Sequence, residues 1–147
     1  MCIVCIALLG APCFAPSSRS IDRWGPAVRA LEIRWYNLKP GTRDEFHQLF
    51  LREALPLLRR WEVDVVAFGP SAHDADSYFL MRAFESLDDR QRSEDAFYAS
   101  NEWRHGPREA VLSRIASCTT IVVEVDEATL EGLRRAARAR ESGERHE

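Results

Sequence analysis

Leu31-Glu32-Ile33-Arg34-Trp35-Tyr36-Asn37-Leu38, followed by Lys39-Pro40-Gly41 and Thr42-Arg43-Asp44-Glu45, is the stretch whose reading decides the fold. Leu31, Ile33 and Trp35 alternate with Glu32, Arg34 and Tyr36, so residues 31–38 predict a strand with two different faces. Pro40-Gly41 ends it with a turn. Thr42 and Glu45 have the spacing of a capping box, in which the hydroxyl takes an orphan amide and the carboxylate reaches back three residues. A helix is expected to follow, because Phe46, Leu49, Phe50, Leu57, Leu58 and Trp61 recur at helical spacing over about 20 residues. Pro56 lies inside it and is expected to kink it, since proline deletes one backbone hydrogen bond and crowds the preceding turn.

Further along, residues 63–69 predict a second strand closed by Gly69-Pro70, and residues 78–84 a third. The two form a hairpin across a polar loop of roughly eight residues. Ser86 to Asp89 carries a cap signal for a helix running to about Ala99. Asn101–His105 reads as a link, and Gly106-Pro107 as the start of another helix, with Pro at its first position. Val111, Leu112 and Ile115 supply that helix's apolar stripe. Residues 118–125 predict the fourth strand. Asp126 caps a last helix with Leu130, Leu133, Ala136 and Ala137 on one side, and from Arg138 the chain is charged.

The order β-α-β-β-α-α-β with an appended helix implies an α+β fold. It is a ferredoxin-like four-stranded antiparallel sheet with helices on one face and strand order 4-1-3-2. Leu31, Ile33, Trp35, Phe79, Met81, Ile121 and Val123 share one face. Glu32, Arg34, Tyr36, Tyr78, Leu80, Arg82, Phe84, Val122 and Glu124 share the other. That second face is too apolar for water and predicts a homodimer, two sheets laid face to face as a dimeric α/β barrel.

The length, 147 residues, suits one domain able to bury a core without disulfides or metal. Residues 29–126 form that domain, residues 1–28 an N-terminal extension, and residues 127–147 a helix and charged tail. With 20 basic and 23 acidic residues the net charge is −3, which argues against a nucleic-acid binder. Lys39 is the lone lysine, a trace of GC-rich, bacterial coding. Residues 1–15 are uncharged but too short to span a bilayer, which takes about 20 residues. A non-folding extension or misassigned start, a secretory signal and a structural segment are all open readings of residues 1–28. The expected location is cytoplasmic, or exported if residues 1–15 are a genuine signal. Cys2-x-x-Cys5 stands without a second ligand pair, so no metal or other cofactor is expected, and Cys118 reads as a small buried side chain.

The opening strand with its Leu38-Lys39-Pro40-Gly41 turn resembles that of the NIPSNAP family, with its Glu-x-Arg-x-Tyr and Lys-Pro-Gly. Phe97-Tyr98-Ala99-Ser100, Glu102-Trp103 and Gly106-Pro107-Arg108 are similar to the same family's Phe-Tyr, Glu-Trp and Gly-Pro-Arg signature. The resemblance covers roughly residues 30–125 and implies the fold and dimerisation, with a poorly defined biochemical role. Trp35 is bulkier than the pattern and is expected to narrow any cavity.

Candidate pocket residues fall in two groups. Arg34, Arg82, Glu32 and Glu124 on the second sheet face, with Tyr36 and Tyr78, suit a small polar pocket in which Arg holds a carboxylate or enolate oxygen and Tyr or Glu moves a proton. The same charges equally suit paired groups at a subunit interface. Tyr98, Trp103, His105 and Arg108 suit a pocket lid, or equally rings that pin a helix-helix link. His47 reads as a half-exposed helix residue, while His73 lies in the loop between the second and third strands. Nucleotide-binding and α/β-hydrolase motifs are missing. The Arg134–Arg140 stripe is balanced by acidic neighbours and reads as a solvated helix face. Two functions follow: a homodimer binding a small, mostly apolar molecule with an anionic or carbonyl group, acting as a cofactor-independent oxygenase or isomerase; or a non-catalytic protein-interaction module with a solid barrel.

Overall fold

A computed structural model describes residues 28–143. The expectations for the cysteine motif and for residues 1–27 of the N-terminal extension lie outside the described residues, whereas Val28 belongs to the first strand. Strand β1 (Val28–Leu38) leads through α1 (Arg43–Leu49), a π-helical turn (Phe50–Ala54) and α2 (Leu55–Arg60) to β2 (Asp64–Pro70). Then follow β3 (Ser77–Phe84), α3 (Leu87–Ala99), α4 (Asn101–His105), α5 (Arg108–Arg114), β4 (Ile115–Asp126) and α6 (Glu127–Gly143). The strands form one antiparallel sheet of order β2-β3-β1-β4, the order expected from the sequence. Both crossovers skip one strand, and their shared handedness preference places α1–α2 and α3–α5 on the same sheet face.

Pro56 has the expected cause but a different effect. Lacking an amide hydrogen, it follows a widened turn in which the Leu55 N–H bonds back to the Phe50 carbonyl, five residues away. The extra residue re-phases the helix, so Ala54, Leu55, Leu57 and Leu58 are buried with Phe46, Leu49 and Phe50. The capping box does not form. Thr42 has φ −97° and ψ 2° rather than extended backbone, and its hydroxyl donates to the Lys39 carbonyl at 2.8 Å, closing the turn instead. Glu45 instead lies 3.4 Å from Arg114. Ser86 does cap α3, accepting from the Asp89 amide at 3.1 Å.

The expected link at residues 101–105 is the short helix α4, capped by the Ser100 hydroxyl on the Trp103 amide at 3.1 Å. Gly106 joins it to α5, and Pro107 is the N-cap rather than the first helical residue. A Cβ on Gly106 would sit 2.3 Å from the Glu102 carbonyl oxygen, so only glycine fits this junction.

The two faces are filled differently from the sequence expectation. Helices α1–α5 pack on the face bearing Glu32, Arg34, Tyr36, Tyr78, Leu80, Arg82 and Phe84, which therefore lies inside the chain and does not face a second subunit. The physical reason is that the charges are neutralised by partners from α3, so burial of the whole strip becomes tolerable. Helix α6 crosses the opposite face, so helices are not confined to one side. Leu130 is fully buried against Leu31, Val66 and Ala83. Arg134 grips the Asp64 carboxylate through two hydrogen bonds of 2.8 and 2.6 Å, and Arg29 reaches the same carboxylate at 3.0 Å. Beyond α6 this face stays open: Trp35 is 47%, Ile121 54% and Val123 41% exposed.

Candidate functional site

Five charged side chains meet between the sheet and α3. Glu32 and Arg82 stand directly opposite each other on β1 and β3, and both are buried. Arg34, two residues along β1, shares the face. Arg90 and Glu94 come from α3, one turn apart. One Glu32 oxygen accepts from Arg34 Nε at 2.9 Å and from Arg82 Nε and Nη2 at 2.9 and 2.5 Å. The other accepts from Arg90 Nε at 2.6 Å. Glu94 accepts from Arg34 Nη2 at 2.5 Å and from Arg82 Nη2, and pairs with Arg90 at 2.9 Å. Tyr98 Oη lies 3.4 Å from Arg82 Nη1, and the Arg34 guanidinium lies over the Tyr98 ring.

The two carboxyls are pushed in opposite directions. Burial favours a protonated Glu32, but the charges of Arg82 and Arg34 and the hydrogen bonds outweigh it and hold the carboxyl at about 2. Glu94 is raised: burial, with the adjacent Glu32 charge, outweighs Arg34 and Arg82. Burial also drives the Tyr36 phenol up to about 12, so it keeps its proton at neutral pH.

Of the residues singled out in the sequence, Arg34, Tyr36, Arg82 and Tyr98 thus come together around Glu32. Glu124 does not join them: it is exposed, opposite Ala30. Trp103 is buried against Phe97 and Tyr98, whose rings lie 5.4 and 5.6 Å away. His105 is exposed and Arg108 half-buried. Tyr78 is fully buried beneath α1, edge-on to Phe46, with its hydroxyl 2.8 Å from His47 Nδ1. Arg90 and Glu94 were not singled out; their i, i+4 spacing was the available signal.

A concavity lies elsewhere, along the edge strand β2. It is a groove of about 680 Å³ between α1–α2 on one side and α6 on the other. Leu51, Leu55, Phe68, Met81, Leu133 and Ala137 make its apolar wall. His47, Arg59 and Arg140 add polar groups. A shallower recess of about 300 Å³, with Trp35, His73 and Tyr78 in its lining, shares Pro70, Phe79 and Arg140 with the groove. Among the described residues, no cluster of three His, Cys, Asp or Glu side chains suits a metal ion, and no helix is long and apolar enough to cross a membrane.

The NIPSNAP family model matches residues 31–124. The chain belongs to the NIPSNAP family. Solved NIPSNAP structures carry the same fold. An uncharacterised NIPSNAP-like domain protein from Burkholderia xenovorans superposes with a TM-score of 0.62 at 21% identity, over 67% of this chain and 85% of that one. A NIPSNAP family protein from Agrobacterium tumefaciens gives 0.61 at 17%, over 65% and 90%. A second NIPSNAP family protein from that organism, of unknown function, gives 0.62 at 20%, over 67% and 88%. No curated protein matches the chain. At these identities the NIPSNAP likeness speaks for the fold. The motif residues have structural explanations here: Gly106 avoids a backbone clash, and Phe97, Tyr98 and Trp103 pack as one aromatic group.

Proposed function

We propose that this NIPSNAP chain is a homodimer that binds a small, mostly apolar molecule carrying an anionic or carbonyl group. The observation that carries the reading is the groove along β2, apolar over most of its wall and large enough for a small ligand. Its polar members are histidine and arginine, which match an acidic or carbonyl oxygen. The open sheet face supports the dimer, since three large apolar side chains, Trp35, Ile121 and Val123, stand exposed together. The ionic cluster of Glu32, Arg34, Arg82, Arg90 and Glu94 is then scaffold rather than pocket, because its members satisfy one another. We keep residues 29–126 as the working domain, with residues 1–28 as an extension, residues 127–147 as an added helix and tail, and a cytoplasmic location.

Native mass spectrometry of protein purified from its own host tests this reading. The expected result is a dimer carrying an additional small mass. A monomer at micromolar concentration overturns the dimer. An empty dimer that also takes up no apolar acid overturns the ligand. That last result favours a second reading, a protein-interaction module, for which the filled space between sheet and helices already speaks.

A further inference from the structure

We propose that the Gly69–Pro70 end of the groove reads a carboxylate, with Arg140 of α6 and His47 of α1 taking the two oxygens of a chain-like carboxylic acid. Its hydrocarbon body then lies along Phe68, Met81, Leu133 and Leu55. This rests on the groove being a ligand site and adds the ligand's class and orientation.

Three placements support it. First, α6 runs from Leu130, packed on Val66 near the start of β2, to Arg140, whose guanidinium lies 6.0 Å from the Phe79 ring. Phe79 pairs with Gly69, so Arg140 stands at the far end of β2. Second, His47 hydrogen-bonds Tyr78, which pairs with Pro70, so it stands at the same end across the edge strand. Third, among the described residues Arg140 has no carboxylate within ion-pair distance, as is also true of Arg59, the groove's other arginine, and unlike Arg29, Arg34, Arg82, Arg90 and Arg134. Among the described residues the groove thus holds an arginine without an acidic partner beside a histidine at one end of an apolar trough.

Tyr78 is the hydrogen-bond partner of His47 Nδ1. The phenol is fully buried, and burial with the neighbouring Tyr36 raises its pKa, so it retains its proton. We take Tyr78 as the donor to Nδ1, the direction that leaves the ring hydrogen on Nε2. The free Nε2–H then offers one hydrogen bond and Arg140 a charge-assisted one.

Calorimetry on the full chain with decanoate and its methyl ester tests the proposal at one pH and salt concentration. Decanoate is expected to bind about tenfold or more tightly than the ester. Arg140→Ala and His47→Phe are each expected to weaken decanoate about tenfold and leave the ester within about twofold. Tyr78→Phe is expected to weaken decanoate alone, by about threefold, with an unchanged circular dichroism spectrum. Equal binding of both probes by the unmodified chain, or variants that weaken both alike, overturns the carboxylate end while the groove stands as a ligand site. Binding of neither probe overturns the groove reading together with it.

Discussion

Replacing Glu32 with Gln keeps the side chain's shape and removes its charge from beneath three guanidiniums. Two routes give the size of the loss. The carboxyl is held at about 2 against an ordinary 4.5, with Arg82 and Arg34 overcoming the burial that opposes them. At about 1.4 kcal/mol per unit, that displacement is worth about 3 kcal/mol. Independently, removing one partner from a buried ion network costs about 3–5 kcal/mol. The side chain is 0% exposed, so solvent screening takes little away. The sign follows from linkage. A carboxyl whose folded pKa lies below its unfolded one stabilises above the unfolded pKa and loses that contribution as pH falls toward the folded value. The gap between wild type and Glu32→Gln should therefore be about 3 kcal/mol at pH 7, begin to close below about 4.5 and narrow strongly toward 2. Urea denaturation followed by tryptophan fluorescence at a series of pH values measures it. A gap under about 1 kcal/mol at pH 7, or one independent of pH, would refute the account of the cluster.

Three further outcomes follow from neighbouring features. Glu94→Gln should cost clearly less than Glu32→Gln in the same urea titration, because burial and Glu32 push the Glu94 carboxyl toward its neutral form. Gly106→Ala must move backbone at the α4–α5 junction to relieve a 2.3 Å approach, and a loss of about 2 kcal/mol or more in thermal unfolding is expected. Leu130→Ala empties the fully buried contact between α6 and the sheet. It should cost about 2–5 kcal/mol and raise amide exchange along α6 before the sheet responds.

Strand identity and order were legible because Leu31 to Tyr36 alternate cleanly and because Pro40-Gly41 and Gly69-Pro70 punctuate the chain. Which face the helices cover was not. Counting Glu32, Arg34 and Arg82 one by one places them toward a partner subunit, whereas Arg90 and Glu94, about 60 residues away on α3, make the same positions fit for burial. Helix α4 is five residues long, too short to show a period, and only its Ser100 cap announces it. The π-helical turn was half legible: Pro56 signals a broken ladder but not how the ladder repairs itself. The groove was invisible for another reason. Its wall draws on α1, the π-helical turn, α2, β2, β3 and α6, and no local motif joins His47 to Arg140.

The pairing of Glu32 with Arg82 also guards against misassembly. Sliding β1 by one residue along β3 would set Glu32 beside Met81 or Ala83 rather than Arg82. It would also turn every β1 side chain to the opposite face, carrying Trp35 under the helices and Arg34 out from between Glu32 and Glu94. Apolar packing alone discriminates weakly between such alignments, because Tyr36 and Trp35 are similar in bulk. Arg82 and Arg90 left in a closed space with Glu94 as their one remaining carboxylate are far less forgiving. A cluster with modest net stabilisation can thus be decisive in excluding the near-miss sheet, and its value lies in the structures it forbids.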